Sequence, residues 1–275
     1  MTTHNPLTIQ RVMLIVNPAS RRGARLLSKA LPAFQKAGVT VDVAYSSLNY
    51  KDALAVTRRG RIVRRFPMVL GIVLASTVVA SEDPEFAPGD RVVGHGQGLG
   101  ENDWGGYTKR QRVRADAIVH LPDGVSLEQW MQLGTAAFTA MLCVLALERN
   151  GVVPDDGEIV VTGAAGGVGS VAVMLLARLG YRVAASTGRP ELEPYLRSLG
   201  ATSILPREEL AQKGAPMQTE RFAGGVDTVG GATLANLYTQ IAYGGAIACC
   251  GMAGGHELAI TVWPLILRNV SLLGV

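Results

Sequence analysis

Hydrophobic and polar positions follow three different patterns along the chain. An apolar run at residues 12–16 precedes a turn and a helical repeat of apolar positions at residues 26–34, which predicts a strand, a turn and a helix. Residues 40–121 show short alternating runs separated by Gly, Pro and Asp, a pattern typical of an irregular antiparallel β-domain. From Ser126 onward, helical stretches alternate with apolar strands, which indicates a parallel sheet.

The third region predicts a six-stranded doubly wound α/β sheet. Ser126 and Gln129 have the spacing of a capping box, and the helix that begins there is expected to end near Glu148. The predicted strands cover residues 158–162, 182–185, 203–205, 226–229, 245–250 and 271–275. The remaining predicted helices run from the glycine turn after the first of these strands to residue 179, over residues 190–199 and over residues 232–242. Such alternation is typical of dinucleotide-binding folds.

Composition excludes several classes of protein. With 275 residues, 48% of them hydrophobic and 17% charged, the chain is expected to fold around one large or two modest cores and not to be disordered. The three cysteines and the lack of a secretory pattern favour a reducing compartment, which we expect to be the cytoplasm. The longest apolar stretch, at residues 136–147, is too short to cross a bilayer, so we expect a soluble protein without a membrane partner.

The charge of the chain suits an anionic ligand. The net charge is +4 and the isoelectric point is about 9.1, which is too small and too dispersed an excess to indicate nucleic acid as a partner. Basic residues cluster at residues 58–65 and again at residues 109–114. We interpret both clusters as solvated loop or strand faces.

The strongest chemical signal is a glycine-rich turn between a predicted strand and a predicted helix. It contains Gly163, Gly166, Gly167 and Gly169. Glycine lets the backbone turn sharply and approach a diphosphate, while the helix N-terminus presents unpaired N–H groups to its negative charge. A nucleotide site is the favoured interpretation, and a purely structural turn is the alternative.

The end of the next predicted strand indicates which dinucleotide would bind. An NAD site would place Asp or Glu there to accept hydrogen bonds from the ribose, but the chain has Thr187, Gly188 and Arg189. An arginine pairs with a 2′-phosphate, whereas a carboxylate would repel it. NADP(H) is therefore the predicted cofactor. The alternative is that Arg189 is merely a solvated residue.

Other chemistries fit the sequence poorly. Cys143 lies inside an apolar helical stretch, and the adjacent Cys249 and Cys250 are expected to point to opposite faces of a strand, so we interpret all three as buried thiols. His95 is expected in a flexible loop without a cysteine nearby, and no metal site is predicted. Neither a nucleophile elbow nor a phosphate-binding P-loop motif occurs.

Residues 39–275 resemble the medium-chain dehydrogenase/reductase superfamily, in particular its zinc-independent quinone oxidoreductase branch, which includes acryloyl-CoA reductases. The resemblance is carried by several short motifs in addition to the glycine turn. They lie at residues 45–53, 100–107, 134–142, 226–230, 243–245 and 251–255. Several of these motifs are specific to the branch and not only to the superfamily.

The resemblance implies an incomplete GroES-like catalytic domain at residues 39–122 and a Rossmann NADP-binding domain at residues 123–275, with NADPH between them. It also implies hydride transfer to the C=C bond of a small α,β-unsaturated acyl-CoA such as acryloyl-CoA, or to a quinone, in a homodimer. Asn49 and Tyr50 would lie near the nicotinamide, with Tyr50 as a possible proton donor. The other implied cofactor contacts are Gly163, Ala165, Gly166, Gly167, Val168, Thr187, Gly188, Arg189, Arg207 and Met252.

The chain departs from the family pattern in three respects. Val73 and Ser76 stand where the family usually has Asp and Gly, and Trp130 and Ala137 stand where smaller residues are usual, so we expect a lost hydrogen-bond network and overpacking. The family's strands upstream of about residue 39 are absent, and the chain ends before the segment that normally completes the catalytic domain. A catalytically silent NADP-binding fragment is therefore the alternative function.

Residues 11–23 resemble the first strand and turn of a diacylglycerol-kinase-type lipid kinase. We expect residues 1–38 to form a kinase-like leader that is fused to the reductase. The Gly-Gly-Asp-Gly-Thr nucleotide motif of that family is missing from the chain. Lipid kinase activity is therefore only a remote third possibility.

Overall fold

The computed structural model describes residues 38–212 and 214–275. The strand and helix expected between residues 12 and 34 lie outside the described residues, as does the kinase-like segment. The described chain divides into two compact units, one that ends at Thr135 and one that begins at Ala136. Each unit is built around its own sheet.

The unit that ends at Thr135 contains an antiparallel sheet of five strands. The strands are β1 (Val39–Tyr45), β2 (Val73–Ser81), β3 (Arg91–His95), β4 (Arg110–Val113) and β5 (Val119–His120). Their order in the sheet is β4-β1-β2-β3-β5, and every neighbouring pair is antiparallel. A short helix, α1 (Tyr50–Thr57), lies between β1 and β2 in the sequence. The expectation of an antiparallel β-domain is confirmed.

Strand β2 is buried on both of its faces. Leu74 points into one apolar cluster, while its neighbours Val73 and Ala75 point into another, because side chains alternate along a strand. Trp130 and Met131 pack against the second cluster. The start of the following helix therefore belongs with the β-unit, and the two compact units divide inside that helix.

The second unit contains six parallel strands. They are β6 (Glu158–Val161), β7 (Arg182–Thr187), β8 (Ser203–Pro206), β9 (Phe222–Asp227), β10 (Ile241–Cys249) and β11 (Ser271–Gly274). The sheet order is β11-β10-β9-β6-β7-β8, and all five neighbouring pairs are parallel. The predicted six-stranded Rossmann sheet is confirmed.

Helices connect these strands and cover both faces of the sheet. They are α2 (Leu127–Arg149), α3 (Gly167–Arg178), α4 (Glu193–Ser198), α5 (Arg207–Ala211), α6 (Gly231–Tyr238) and α7 (Trp263–Leu267). On β6, Ile159 and Val161 belong to one apolar cluster and Val160 belongs to the other. Because both faces of the strand are buried, β6 appears in the sequence as a continuous apolar run.

Helix α2 is the one described helix that is long and apolar enough to cross a membrane, with a mean hydropathy of 1.6 over its most apolar window. Gly134, at φ 54° and ψ −162°, interrupts it, and each piece is shorter than the roughly 20 residues of a membrane span. Cys143 and Leu147 are fully buried in the core of the second unit. One face of α2 therefore packs in the core of the second unit, while Phe138 and Leu142 are exposed. Its predicted capping box between Ser126 and Gln129 is confirmed.

The boundaries of β9 and β10 were predicted incorrectly. β9 begins at Phe222 and not at residue 226, and β10 begins at Ile241, inside the stretch that was predicted as a helix. A Cβ atom on Gly224 would lie 2.7 Å from the carbonyl oxygen of Ala246. This glycine therefore allows two strands to approach closely, and does not mark a turn.

The departures from the family pattern are accommodated in different ways. Val73 fills an apolar cluster, whereas the hydroxyl of the fully buried Ser76 has no hydrogen-bond partner in the described part of the chain. Trp130 and Ala137 are each only partly buried, so the overpacking expected at these positions is not observed. At Ser76, replacement of the family's usual glycine therefore buries a hydroxyl that makes no hydrogen bond with the described residues.

Replacing Ser76 with alanine is expected to stabilise the protein. An unpaired buried hydroxyl costs about 1–3 kcal/mol, so Ser76→Ala should raise the free energy of unfolding in urea by about 1 kcal/mol. Ser46→Ala is the control, because the Ser46 hydroxyl donates a 2.7 Å hydrogen bond to the carbonyl oxygen of Val73. This variant should lose about 1 kcal/mol. Equal losses of stability in the two variants would contradict the assignment.

Candidate functional site

The turn after β6 has no space for side chains at two of its glycines. Gly163 has a φ of 59°, and a Cβ atom there would lie 2.3 Å from the hydroxyl oxygen of Thr228. A Cβ atom on Gly169 would lie 2.3 Å from the carbonyl oxygen of Gly163. Glycine is therefore required at both positions, and it allows helix α3 to begin directly against the end of β6.

Helix α3 begins without a side-chain cap. Its N-cap residue is Gly166, whose own N–H donates a 2.8 Å hydrogen bond to the carbonyl oxygen of Gly163. The N–H groups of Gly167, Val168 and Gly169 lie in the first turn, where a helix offers them no internal partner. These groups and the helix dipole are therefore available to an anion, and the turn fits the diphosphate of a dinucleotide.

A buried carboxylate at the ends of β6 and β9 fixes this turn. Asp227 accepts hydrogen bonds from the Thr162 hydroxyl at 2.6 Å and from the Gly230 N–H at 2.7 Å. Burial raises the pKa of Asp227, and these hydrogen bonds oppose that shift. The Thr162 hydroxyl oxygen also accepts a hydrogen bond from the Thr228 N–H at 3.0 Å. Asp227 therefore joins two strand ends at the glycine turn.

Asp227 lies in the motif at residues 226–230, but the sequence alone indicated no role for it. Thr162 directly follows β6 and Asp227 ends β9, and these two strands are neighbours in the sheet. The carboxyl ends of neighbouring parallel strands meet at one edge of a sheet. A polar residue at the end of each strand was therefore the available signal.

The residues predicted to hold a 2′-phosphate lie together at the ends of β7 and β8. Thr187 is paired with Pro206 across the two strands, which brings Arg207 next to Gly188. A Cβ atom on Gly188 would lie only 2.7 Å from the Cζ atom of Arg207, so the guanidinium group lies against this glycine. The backbone N–H of Arg189 donates a 3.1 Å hydrogen bond to the Thr187 hydroxyl.

The positive charges of this cluster have little opposite charge near them. Arg189 donates a 2.7 Å hydrogen bond to the carbonyl oxygen of Ala165, and within the described residues no carboxylate pairs with it. Among the same residues, the carboxylate that pairs with the Arg207 guanidinium is that of Glu208, at 4.0 Å, and both side chains are largely exposed, so solvent screens this pair. Two guanidinium groups without close carboxylates fit a phosphate dianion. The link from Arg189 to Ala165 also connects this cluster to the glycine turn.

Met252 follows β10 at the same edge of the sheet. Its Cα atom lies 3.1 Å from the place where a Cβ atom on Gly230 would be, and the N–H of Gly254 donates a 2.7 Å hydrogen bond to the carbonyl oxygen of Val229. The backbone of this loop is therefore fixed, while 58% of the Met252 side chain is exposed. Met252 can contact a ligand at this edge.

The two residues predicted to be catalytic begin helix α1 in the other unit. Asn49 is the N-cap residue, and its side-chain amide donates a 3.1 Å hydrogen bond to the carbonyl oxygen of Ser47. Its polar atoms therefore position the loop before the helix. Tyr50 is the first residue of α1, and 59% of it is exposed. Within the described residues, the Tyr50 hydroxyl has no hydrogen-bond partner.

Asp52 supports this loop, and sequence reasoning did not identify it. It is fully buried, and its carboxylate accepts hydrogen bonds from the backbone N–H groups of Asn49 at 2.9 Å and Ile72 at 3.1 Å. The hydroxyl of Tyr107 donates a 3.3 Å hydrogen bond to the carbonyl oxygen of Ser47. Burial, followed by the charge of Asp52, raises the pKa of Tyr107. The spacing of Asn49 and Asp52 is that of a capping box, which was the available signal.

His95 was expected in a flexible loop, and this placement is wrong. It ends β3, and its Nε2 atom accepts a 2.6 Å hydrogen bond from the indole N–H of Trp130. The Nδ1 atom lies 3.4 Å from the hydroxyl oxygen of Thr135. An imidazole that accepts at Nε2 is neutral and carries its proton on Nδ1. Burial lowers the pKa of His95, which favours this neutral form.

The cysteines are thiols packed against the core of the second unit. Cys250 contacts the cluster that contains Cys143, and Cys249 contacts the cluster on the other face of the sheet, so the predicted opposite orientation of these neighbours is confirmed. Burial raises the pKa of Cys249 to about 12. Among residues 38–212 and 214–275, no three His, Cys, Asp or Glu side chains are placed to hold a metal ion.

Two family models match the chain. The alcohol dehydrogenase GroES-like domain matches residues 35–123, and the zinc-binding dehydrogenase family matches residues 167–275. The zinc in the second description has no ligand set in the described part of the chain. The two matches coincide with the β-unit and with most of the Rossmann unit.

The chain is similar to bacterial reductases over most of its length. It is 56% identical to the probable acrylyl-CoA reductase AcuI of Escherichia coli, with 86% of this chain and 73% of the relative covered. It is 47% identical to the putative quinone oxidoreductase YhfP of Bacillus subtilis, with 87% and 73% covered. The crystal structure of YhfP has NAD bound and matches with a TM-score of 0.85, with 89% of this chain and 74% of that chain covered.

A further similar protein has been crystallised with a dinucleotide. The yhdH oxidoreductase from Salmonella enterica, crystallised in complex with NADP, is 56% identical and matches with a TM-score of 0.84. The match covers 86% of this chain and 73% of that chain.

Acidification should weaken the contact between His95 and Trp130. Because burial lowers the pKa of His95 below the ordinary 6.5, its contribution to stability is present above about pH 6.5 and is lost as pH falls through the lower pKa of the folded state. Imidazolium has no acceptor for the indole N–H. In urea unfolding at several pH values, wild type should lose more stability below pH 6.5 than His95→Gln. His120→Gln, at an exposed position, is the control and should keep the wild-type pH profile.

Proposed function

Because the chain belongs to the medium-chain dehydrogenase/reductase family, we propose that it reduces the C=C bond of a small α,β-unsaturated acyl-CoA of the acryloyl-CoA type, with NADPH as the reductant. One observation carries this proposal: an uncapped helix N-terminus and two guanidinium groups without close carboxylates lie along one edge of the Rossmann sheet. The similarity to the probable acrylyl-CoA reductase of E. coli supports the substrate class. Quinone reduction is the second candidate, which the name of the B. subtilis relative supports.

Residues of the second unit would hold the cofactor. Gly166, Gly167 and Val168 would contact the diphosphate at the start of α3. Gly163 and Ala165 lie in the turn before this helix and would border the same site. Thr187, Gly188, Arg189 and Arg207 would surround the 2′-phosphate, and Met252 would contact the nicotinamide ring. NADPH, when bound, supplies the hydride that adds to the β-carbon of the substrate.

Residues of the first unit would act on the substrate. Hydride addition to the β-carbon would leave an enolate, with negative charge on the thioester oxygen. In our proposal, the Tyr50 hydroxyl then donates a proton to the α-carbon of this enolate. Asn49 positions Tyr50, because its amide and the carboxylate of Asp52 fix the start of α1. Precise placement of a proton donor lowers the barrier to a transfer that is otherwise bimolecular.

We also propose that the protein works as a homodimer in the cytoplasm. Strand β11 lies at one end of the sheet order, and Leu265, Ile266 and Leu267 of helix α7, which precedes β11 in the chain, are exposed. An unpaired strand edge beside apolar side chains favours pairing with a second copy.

The three cysteines are free thiols, which suits a reducing compartment.

Replacing the two arginines should change the choice of cofactor. Each charge-assisted hydrogen bond contributes about 1.5–3 kcal/mol, so Arg189→Ser combined with Arg207→Ser should raise the KM for NADPH by about 100-fold or more. The KM for NADH should change little, since NADH lacks the 2′-phosphate. Arg197→Ser is the control, because Arg197 pairs with Glu193 at 2.7 Å. An equal increase of the two KM values would contradict the assignment of a 2′-phosphate site.

The proposed reaction is tested by following NADPH oxidation with acryloyl-CoA. Wild type should oxidise NADPH, and Tyr50→Phe should lower kcat by about 100-fold without changing the KM for NADPH. Tyr195→Phe, at an exposed tyrosine of the second unit, is the control and should leave kcat unchanged. Unchanged turnover in Tyr50→Phe would exclude the phenol as the proton donor. NADPH binding without oxidation would instead support the catalytically silent fragment.

A further inference from the structure

We propose that an exposed arginine loop binds the phosphate groups of the coenzyme A part of the substrate. The arginine loop consists of residues 58–65 and follows helix α1. This inference rests on the proposed function, because it concerns the same reaction and names how the acyl-CoA would be recognised. Its arginines are Arg58, Arg59, Arg61, Arg64 and Arg65.

The charges of the arginine loop are not compensated. All five arginine side chains are exposed, and none forms an ion pair or a side-chain hydrogen bond with any of the described residues. In the sequence, no Asp or Glu occurs between Asp52 and Glu82. Five cationic side chains within one short loop produce a local positive potential, which attracts polyanionic ligands.

The arginines of the second basic cluster, at residues 109–114, form ion pairs, unlike those of the arginine loop. Arg110 pairs with Asp42 at 2.5 Å, and Arg112 pairs with Glu82 at 2.6 Å. Arg114 binds both Asp103 and Asp116, at 2.5 and 2.7 Å. These arginines connect strands and loops of the β-unit. The interpretation of both clusters as solvated faces is therefore too coarse: one cluster is paired within the fold, and the arginine loop is not.

The backbone of the arginine loop is anchored, although its charged groups are exposed. The loop leaves α1 through Arg58, which adopts the left-handed conformation. A Cβ atom on Gly60 would lie 3.4 Å from Leu54 and 3.6 Å from Ile62, so the loop folds back against the helix. Ile62 and Val63 are half-buried. An anchored loop loses less conformational freedom when its side chains bind a ligand.

Helix α1 separates the arginine loop from the proposed proton donor. Tyr50 begins the helix and Thr57 ends it, and eight residues of helix are about 12 Å long. Coenzyme A carries its acyl group at one end of an extended pantetheine arm, and its diphosphate and 3′-phosphate at the other. Tyr50 at one end of α1 and the arginine loop at the other are therefore close enough for one acyl-CoA molecule to reach both.

Arginine suits this ligand better than other cations. Its planar guanidinium donates paired hydrogen bonds to phosphate oxygens and remains charged at all physiological pH values. Because the groups are exposed, salt should screen the attraction. The KM for acryloyl-CoA is therefore expected to rise as ionic strength increases.

Two thioesters of the same acid separate phosphate recognition from catalysis. Acryloyl-CoA carries the phosphates, whereas the acrylate thioester of N-acetylcysteamine has the same reacting group and no phosphate. Arg64→Ser combined with Arg65→Ser, and separately Arg59→Ser combined with Arg61→Ser, should raise the KM for acryloyl-CoA by at least tenfold. The KM for the N-acetylcysteamine thioester and both kcat values should stay within twofold of wild type.

Arg178→Ser combined with Arg182→Ser is the matched control, since it removes two exposed arginines of the second unit. Its KM for acryloyl-CoA should stay within twofold of wild type. Equal KM values for acryloyl-CoA in wild type and both loop variants would overturn the proposal. So would a parallel increase for the thioester without phosphates.

Calorimetric titration with free coenzyme A decides the proposal even if the proposed function fails. If wild type reduces neither thioester, the proposed function is wrong, yet the arginine loop can still bind the phosphates. Coenzyme A should then bind to wild type at least tenfold more tightly than to the loop variants. Equal binding, or no binding to wild type, would overturn the phosphate site.

Discussion

The close approach of helix α3 to the end of β6 is the constraint on which the candidate site depends. A side chain at Gly163 would collide with Thr228, and one at Gly169 would collide with the carbonyl oxygen of Gly163. Glycine at these positions therefore allows the helix N-terminus to lie at the edge of the sheet. Asp227 fixes the same edge from the neighbouring strand. The turn thus presents backbone N–H groups to an anion without a side chain in between.

Those parts of the fold that depend on local signals were predictable from the sequence. The apolar strand, the glycine turn and the apolar helix after it lie within one short stretch, and the capping box at Ser126 is also local. The start of β9 was missed because Gly224 serves a close contact with β10, which is distant in sequence. Sequence alone does not separate such a glycine from one in a turn.

In the candidate site, too, the sequence indicated residues near local motifs but not contacts between residues that are distant in sequence. Thr187, Gly188, Arg189 and Arg207, which were predicted to share one phosphate site, lie together in the structure, because strand ends in a parallel sheet converge. The contact between His95 and Trp130 was missed, since it joins residues far apart in sequence. The two basic clusters look alike in composition, but only the structure shows that the arginines at 110, 112 and 114 are paired.

Amide resonances of the turn provide the most direct test of a dinucleotide site. In a titration of ¹⁵N-labelled protein with NADPH, the N–H groups of Gly167, Val168 and Gly169 should shift most, since in our proposal they contact the diphosphate. Shifts confined to other parts of the chain, or no shifts at millimolar NADPH, would contradict the account of this turn as the cofactor site.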